Sequence, residues 1–97
     1  MEVIIRKSTK KDKKFDAIVD GKKTVSFGAA GMSDYTKHKD DERKERYINR
    51  HKKKEDWSNP KTAGFYARHI LWNKTSLQAS VSDINKKFQN IKGKLKL

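Results

Sequence analysis

Three histidines are the side chains of this sequence best suited to metal binding or proton transfer. His38, His51 and His69 are separated by thirteen and eighteen residues, so no two have the i,i+4 spacing that places a pair of metal ligands on one helix face. The chain has no cysteine, which excludes disulfides, zinc–thiolate sites and a cysteine nucleophile. We therefore interpret the histidines as structural or surface residues and predict no metal site.

Four clustered acids could also do chemistry, because carboxylates are the preferred ligands of Mg²⁺. Asp40, Asp41, Glu42 and Glu45 lie at the start of a predicted helix among many bases, where negative charge complements the helix dipole. General acid–base catalysis needs two groups held in different environments of one pocket, and the sequence indicates no such pair. We predict a protein that is not an enzyme, binds no cofactor and takes no small-molecule substrate.

Basic residues interleaved with aromatics are the strongest functional signal. The net charge is +13, from 25 Lys and Arg against 12 Asp and Glu, so an anionic partner is expected. Seven of the nine aromatics lie between Phe27 and Trp72. Lys and Arg bind phosphates and aromatics can stack on bases, but Trp, Tyr and Arg also dominate protein interfaces. The residues predicted to bind a protein or nucleic-acid partner are Arg43, Lys44, Arg46, Tyr47, Arg50, Lys52, Lys53, Lys54, Trp57, Phe65, Arg68 and Trp72.

Two alternatives stay open at this point. A run such as Lys52–Lys54 is as often a solvated surface as a binding site. For the aromatics, a place in the core or in a protein interface is favoured over base stacking, because aromatic side chains bury large apolar areas.

The first third of the chain predicts a small sheet. Phe15–Val19 and Lys22–Phe27 flank Asp20-Gly21, the dipeptide of a type I′ hairpin turn, which needs positive φ at both central residues. The β-branched run Val3–Ile5 can add a third strand. Gly28-Ala-Ala-Gly31 is interpreted as a turn rather than a phosphate-binding GxxG loop, because it follows a strand instead of joining two helices.

Three helices are predicted after the sheet. Residues 40–54 begin with acids and end with bases, as the helix dipole favours, but the apolar face is only Tyr47 and Ile48, which indicates a solvated or partner-facing helix. Pro60 suits the start of a second helix over 62–72. Its expected buried residues are Phe65, Ile70, Leu71 and Trp72, with Tyr66 and His69 at the boundary.

The third predicted helix carries an apolar stripe. Its members step by four and three residues, as on one face of a helix: Leu77, Val81, Ile84, Phe88, Ile91 and Leu95. Gly93 is expected to end the helix and leave a basic tail. The sequence therefore predicts one α+β domain over 1–97, with a basic N-terminal arm or strand at 1–14, a hairpin at 15–28, a helical part at 40–92 and a tail at 93–97. Its apolar runs are too short to cross a bilayer, and its first residues lack a signal-peptide core, so a soluble protein that is not secreted is expected.

A series of aromatic, glycine, histidine and basic positions recurs in a fixed order along most of the chain, from about residue 15 to about residue 90: Phe27-Gly28, Gly31, Asp34-Tyr35-Thr36, His38, Asp40, Arg43-Lys44, Tyr47-Ile48, Arg50-His51, Glu55-Asp56-Trp57, Thr62-Ala63-Gly64-Phe65, Arg68-His69, Leu71-Trp72-Asn73-Lys74, Leu77, Ile84 and Phe88. In these positions the chain resembles a family of small basic proteins from large icosahedral (nucleocytoplasmic) DNA viruses of algae and protists. The resemblance has no associated activity. It implies a virion component, most naturally a minor capsid protein that bridges larger capsid proteins at the inner face of the shell after assembly in a cytoplasmic virus factory. The alternative is a basic protein that packages viral DNA.

Overall fold

A four-stranded sheet carries helices against one of its faces in the computed structural model, which describes residues 1–97. The strands are adjacent in the order β3-β2-β1-β4. The predicted α+β class is therefore confirmed. The elements are β1 (Glu2–Lys7), β2 (Lys13–Val19), β3 (Lys23–Ala29), α1 (Tyr35–His38), α2 (Asp41–His51), α3 (Ala63–Tyr66), a π-helical turn (Ala67–Leu71), α4 (Leu77–Lys87) and β4 (Lys92–Leu95).

The hairpin between β2 and β3 forms as predicted. Phe15 lies opposite Phe27, and Ala17 opposite Val25. Asp20 and Gly21 have φ of 52° and 66°, so both central residues of the turn are left-handed. Because this conformation costs an ordinary L-residue about 1 kcal/mol or more, an Asp-Gly pair is well suited to the turn.

The chain end predicted as a basic tail is instead the strand β4. The predicted third helix stops at Lys87, and β4 pairs in parallel with β1, with Glu2 opposite Lys92 and Ile5 opposite Leu95. The helical interpretation of the stripe is therefore wrong beyond Phe88. In β4, lysines alternate with Gly93 and Leu95, and this period of two suits a strand with one covered face.

The helices also differ from prediction in their bounds. A short helix, α1, precedes α2 and has Asp34 as its N-cap. The helix α2 starts after the N-cap Asp40 but ends at His51 rather than at Lys54. The predicted helix over 62–72 begins after the N-cap Thr62 and becomes a π-helix from Ala67 to Leu71. No helix is long and apolar enough to cross a lipid bilayer.

The core lies between the sheet and the segment from α3 to α4. Tyr66 is 1% exposed, and its ring lies 5.6 Å from that of Phe27, so its expected place at the boundary is wrong. Trp72 is only partly buried, although it was expected in the core. The cause is local, since the π-helix ends at Leu71 and turns Trp72 towards α2 instead.

Candidate anion-binding cleft

The helix α2 is held to the domain through one face. The Lys44 ammonium donates a hydrogen bond to the carbonyl of Asn73 at 2.6 Å and lies 4.7 Å from the centre of the Tyr35 ring. Burial lowers the pKa of Lys44, and the nearby charges of Arg68 and Lys74 lower it further. This lysine is therefore an internal contact of the fold.

A stack of aromatic rings completes the attachment of α2. The Tyr47 ring lies 4.5 Å from that of Trp72, with the planes 9° apart, and 4.4 Å from that of His51. The His38 ring lies 5.3 Å from Trp72 at an angle of 54°. Such contacts add about 0.5–1.5 kcal/mol beyond the area they bury, so the stack fixes the orientation of both α2 and the Trp72 indole.

An arginine edge runs along α2 beside this buried face. Arg43, Arg46 and Arg50 are all exposed, and their i, i+3, i+7 spacing brings them within about 60° of one another around the helix axis. Asp41 lies on the far side of the helix, whereas Glu42 is the i,i+4 neighbour of Arg46, about 40° away around the axis. Glu42 and Glu45 line a separate groove with Arg46 and Asn49, so acids border the arginine edge at Arg46.

The arginine edge forms one wall of a cleft of about 540 Å³. The opposite wall comes from the segment between β3 and α1, and no acidic residue lines the cleft. A cavity with three fixed positive charges and no negative one favours an anionic group. The lining residues are Met32, Ser33, Arg43, Arg46, Asn49, Arg50 and Trp72.

An internal ion pair supports the wall that carries Met32 and Ser33. The buried Asp34 carboxylate accepts hydrogen bonds from the Lys14 ammonium at 2.5 Å, from the Thr36 backbone N–H at 3.0 Å and from the Thr36 hydroxyl. Because Lys14 already pairs with Asp34, the carboxylate does not offset the charge of the arginine edge.

Arg68 supports the cleft from behind. Its guanidinium donates to the backbone carbonyl of Trp72 at 2.9 Å and lies 5.5 Å from the Trp57 ring. Burial lowers the pKa of Arg68. This arginine positions Trp72 and is occupied within the chain, so it is a positioning residue rather than a contact for a partner.

The structure brings together only part of the predicted partner-binding set. Arg43, Arg46, Arg50 and Trp72 line the cleft, and Tyr47 lies directly behind Trp72. Lys44 and Arg68 are used internally. Lys52, Lys53 and Lys54 are exposed in the turn after α2 and do not line the cleft. Trp57 is partly buried, and its carbonyl faces His69 Nε2 at 2.9 Å.

Phe65 is the clear error in that set. It has no exposed surface and packs against Tyr66 and Phe88, so it cannot contact a partner. In the opposite direction, Met32, Ser33 and Asn49 line the cleft but were missed. Asn49 could have been found from its place next to Arg46 and Arg50 on a helical wheel. Met32 and Ser33 carry no local signal, because only tertiary folding brings them opposite α2.

No group of three or more His, Asp or Glu side chains in the chain is arranged to hold a metal ion.

Fold and cleft together define a small α+β domain with a cationic cleft beside its second helix. The chain belongs to a family of unknown function, DUF5754, whose model matches residues 3–51. That match covers β1 to α2, including the arginine edge, but not Trp72. No curated protein and no solved structure matches the chain.

Proposed function

We propose that this protein is a non-enzymatic structural component of a large DNA virus particle, which binds an acidic segment of a larger capsid protein in the cleft beside α2. The observation that carries the proposal is the arginine edge, which lines a cleft together with Trp72 and with no acidic residue. Guanidinium groups stay charged at any physiological pH, so this lining can hold an anion firmly but is poorly suited to transferring protons.

The surroundings of the arginines favour a protein as the bound partner. Met32 is 64% exposed at the cleft, and Trp72 is partly buried there. Arg, Trp and Met are enriched at the centres of protein interfaces, where they contribute much of the binding energy. Guanidinium forks also match carboxylates, with which they form paired hydrogen bonds. An acidic segment with an apolar residue fits both features.

Nucleic acid is the second candidate, because arginine forks bind phosphate equally well and the chain has a net charge of +13. Base stacking is the weaker part of this alternative. The Trp72 indole already packs against Tyr47 at 4.5 Å and lies 5.3 Å from His38. It therefore has less free ring face than the exposed aromatics on which single strands stack.

Site-specific crosslinking in assembling particles tests the proposal. A photo-crosslinking amino acid at Asn49, on the exposed rim of the cleft, should join the chain to a capsid protein that mass spectrometry can identify. The same amino acid at Lys53, which is exposed outside the cleft, is the matched control and should give much less of this product. Crosslinks to DNA alone would favour the second candidate, and equal crosslinking from both positions would contradict a role for the cleft.

A charge-matched pair of variants provides an independent test. Replacing Arg43, Arg46 and Arg50 with Gln removes three positive charges from the cleft, and replacing Lys52, Lys53 and Lys54 with Gln removes three outside it. We expect the arginine variant to be incorporated into particles at least tenfold less than the lysine variant. Equal incorporation of the two variants would count against the proposed site.

A further inference from the structure

The strand β4 and the residue that follows it, Lys96, whose N–H donates to the Ile5 carbonyl of β1 at 2.8 Å, present a regular row of positive charge. Lys92, Lys94 and Lys96 are exposed, whereas Gly93 and Leu95 between them are partly buried. Because a strand rises about 3.3 Å per residue, alternate side chains lie about 6.6 Å apart. The three lysine side chains therefore leave the backbone in a line whose repeat is similar to that of phosphates along a nucleic-acid strand.

This row points away from the helices. A Cβ added at Gly93 would lie 3.4 Å from Asn85 and from Val81 of α4, so the Gly93 side of β4 is the side that α4 covers. Successive side chains of a strand point to opposite faces, which places the lysines on the uncovered face of the sheet. The cleft is built by the helical layer, so the two cationic surfaces lie on different sides of the molecule.

The neighbouring groups on this face leave the lysines largely unopposed. Arg6 of β1 lies on the same face and is balanced by Asp16 at 3.5 Å, which also accepts a hydrogen bond from Ser26. Burial raises the pKa of Asp16, but the hydrogen bonds of Ser26 and Ser8 and the charge of Arg6 outweigh this and lower it overall. Glu2, opposite Lys92, is the one acid of the face without an ion-pair partner.

At Gly93, the sheet edge is protected by Asn85 and not by the lysines. Lysines often guard edge strands against pairing with another chain, and β4 is an edge strand. Here the guard is Asn85. Its amide donates to the Gly93 carbonyl at 3.1 Å and accepts from the Gly93 N–H at 2.7 Å. The backbone groups at this point of the free edge are therefore already paired.

We propose that Lys92, Lys94 and Lys96 form a lysine face that binds the phosphate backbone of nucleic acid. Evenly spaced point charges on a strand suit a polymer of evenly spaced phosphates. The proposal goes beyond the capsid contact proposed for the cleft. With a protein partner in the cleft and nucleic acid on the opposite side, a single domain would link the shell to the genome.

Fluorescence anisotropy with a labelled oligo-dT strand, repeated over a range of salt concentrations, tests this inference on the full chain. Replacing Lys92, Lys94 and Lys96 with Gln should weaken binding at least tenfold. The slope of log K against log salt should fall by about two, because each phosphate neutralised on a single strand contributes about 0.7. A duplex of the same length shows whether the face distinguishes single from double strands, and circular dichroism verifies that the variant is folded.

The Lys52–Lys54 variant described above is the control, because it loses the same three charges at exposed positions outside both the lysine face and the cleft. We expect it to keep the wild-type salt slope to within one unit. In ¹⁵N NMR spectra, addition of oligo-dT should shift the backbone amides of residues 92–96. Equal losses in the two lysine variants, an unchanged salt slope in the Lys92/Lys94/Lys96 variant, or no binding by the wild type would each overturn the inference. None of these outcomes bears on crosslinking at Asn49, so the two proposals fail separately.

Discussion

The indole of Trp72 stacks on the phenol ring of Tyr47, with ring centres 4.5 Å apart and planes 9° from parallel. This contact joins the end of the π-helical turn to the middle of α2. Tyr47 is the one residue of α2 that is buried, at 7% exposure. The position of the arginine edge therefore depends on this single aromatic contact more than on any broad apolar surface.

Replacing Tyr47 with Ala should lower the free energy of unfolding by about 3–5 kcal/mol, the usual cost of removing a buried aromatic ring. The Tyr47 hydroxyl makes no hydrogen bond within the chain, so Tyr47→Phe should keep the stack and change the stability by less than about 1 kcal/mol. Urea unfolding followed by tryptophan fluorescence measures both variants. Equal losses would show that the hydroxyl, rather than the ring, attaches α2.

The correctly predicted parts of the fold are those with local signals. Asp20-Gly21 defines its own turn, and the alternation of Phe15, Ala17 and Val19 defines the covered face of β2. The strand β4 was missed because its partner β1 lies at the other end of the chain. The spacing of Ile91 and Leu95 from Phe88 also continues a helical pattern by coincidence, so a short sequence window could not separate strand from helix.

For the cleft, the sequence predicted which residues of α2 are basic or aromatic, but not which of their side chains point into the cleft and which point into the fold. Arg43 and Lys44 are neighbours with similar chemistry, yet Arg43 lines the cleft while Lys44 donates to the Asn73 carbonyl. The direction of each depends on which face of α2 packs, and that is decided by Trp72. A helix with a thin apolar face gives too little information to orient it from sequence alone.

The side chains of Leu71 and Lys14 lie so close to the backbone of Gly28 that adding one methyl group there should lower the stability of the fold. Gly28 has φ of 78°, and a Cβ there would lie 2.7 Å from Leu71 Cδ1 and 3.2 Å from Lys14 Cβ. Gly28→Ala should therefore cost about 1–2 kcal/mol for the left-handed backbone and about 1–3 kcal/mol more for the overpacking. Chemical denaturation measures the loss.

Gly31 is the matched control, because its φ is 84° but an added Cβ would have no neighbour within 4 Å. Gly31→Ala should show the backbone cost alone, about 1–2 kcal/mol. If the two alanine variants lose the same stability, the contact with Leu71 is not tight in solution.

His69 makes stability depend on pH. Its Nε2 lies 2.9 Å from the Trp57 carbonyl, and its ring packs against Phe65 and Phe88. Burial lowers the pKa of His69 below 6.5, and the positive charges of Arg68 and Lys87 lower it further. The hydrogen bond to the Trp57 carbonyl and the charge of Asp83 raise the pKa, but by less. Below pH 6.5 the unfolded chain therefore binds a proton that the folded chain does not, so stability falls as the pH is lowered towards the folded pKa.

The contribution of His69 appears when the free energy of unfolding is measured from about pH 7.5 to about pH 5, the range in which histidines titrate. We expect the wild type to lose stability across this range and His69→Gln, which can still donate to the Trp57 carbonyl, to lose less. Parallel pH profiles for the two proteins would assign the dependence to other groups.

Asn85 should prevent another strand from pairing with the free edge of β4 at Gly93. Its side-chain amide pairs with both backbone groups of Gly93, at 2.7 and 3.1 Å, as a neighbouring strand would. Asn85→Ala removes two hydrogen bonds worth about 1–3 kcal/mol together, offset by about 0.5 kcal/mol because Ala is the better helix former. It should also speed amide hydrogen exchange at Gly93, and the opened edge should promote concentration-dependent self-association.

Gln78→Ala is the control, because Gln78 lines the same groove of α4 without a hydrogen bond. Unchanged exchange at Gly93 in Asn85→Ala, measured by NMR, would show that the edge is protected in another way.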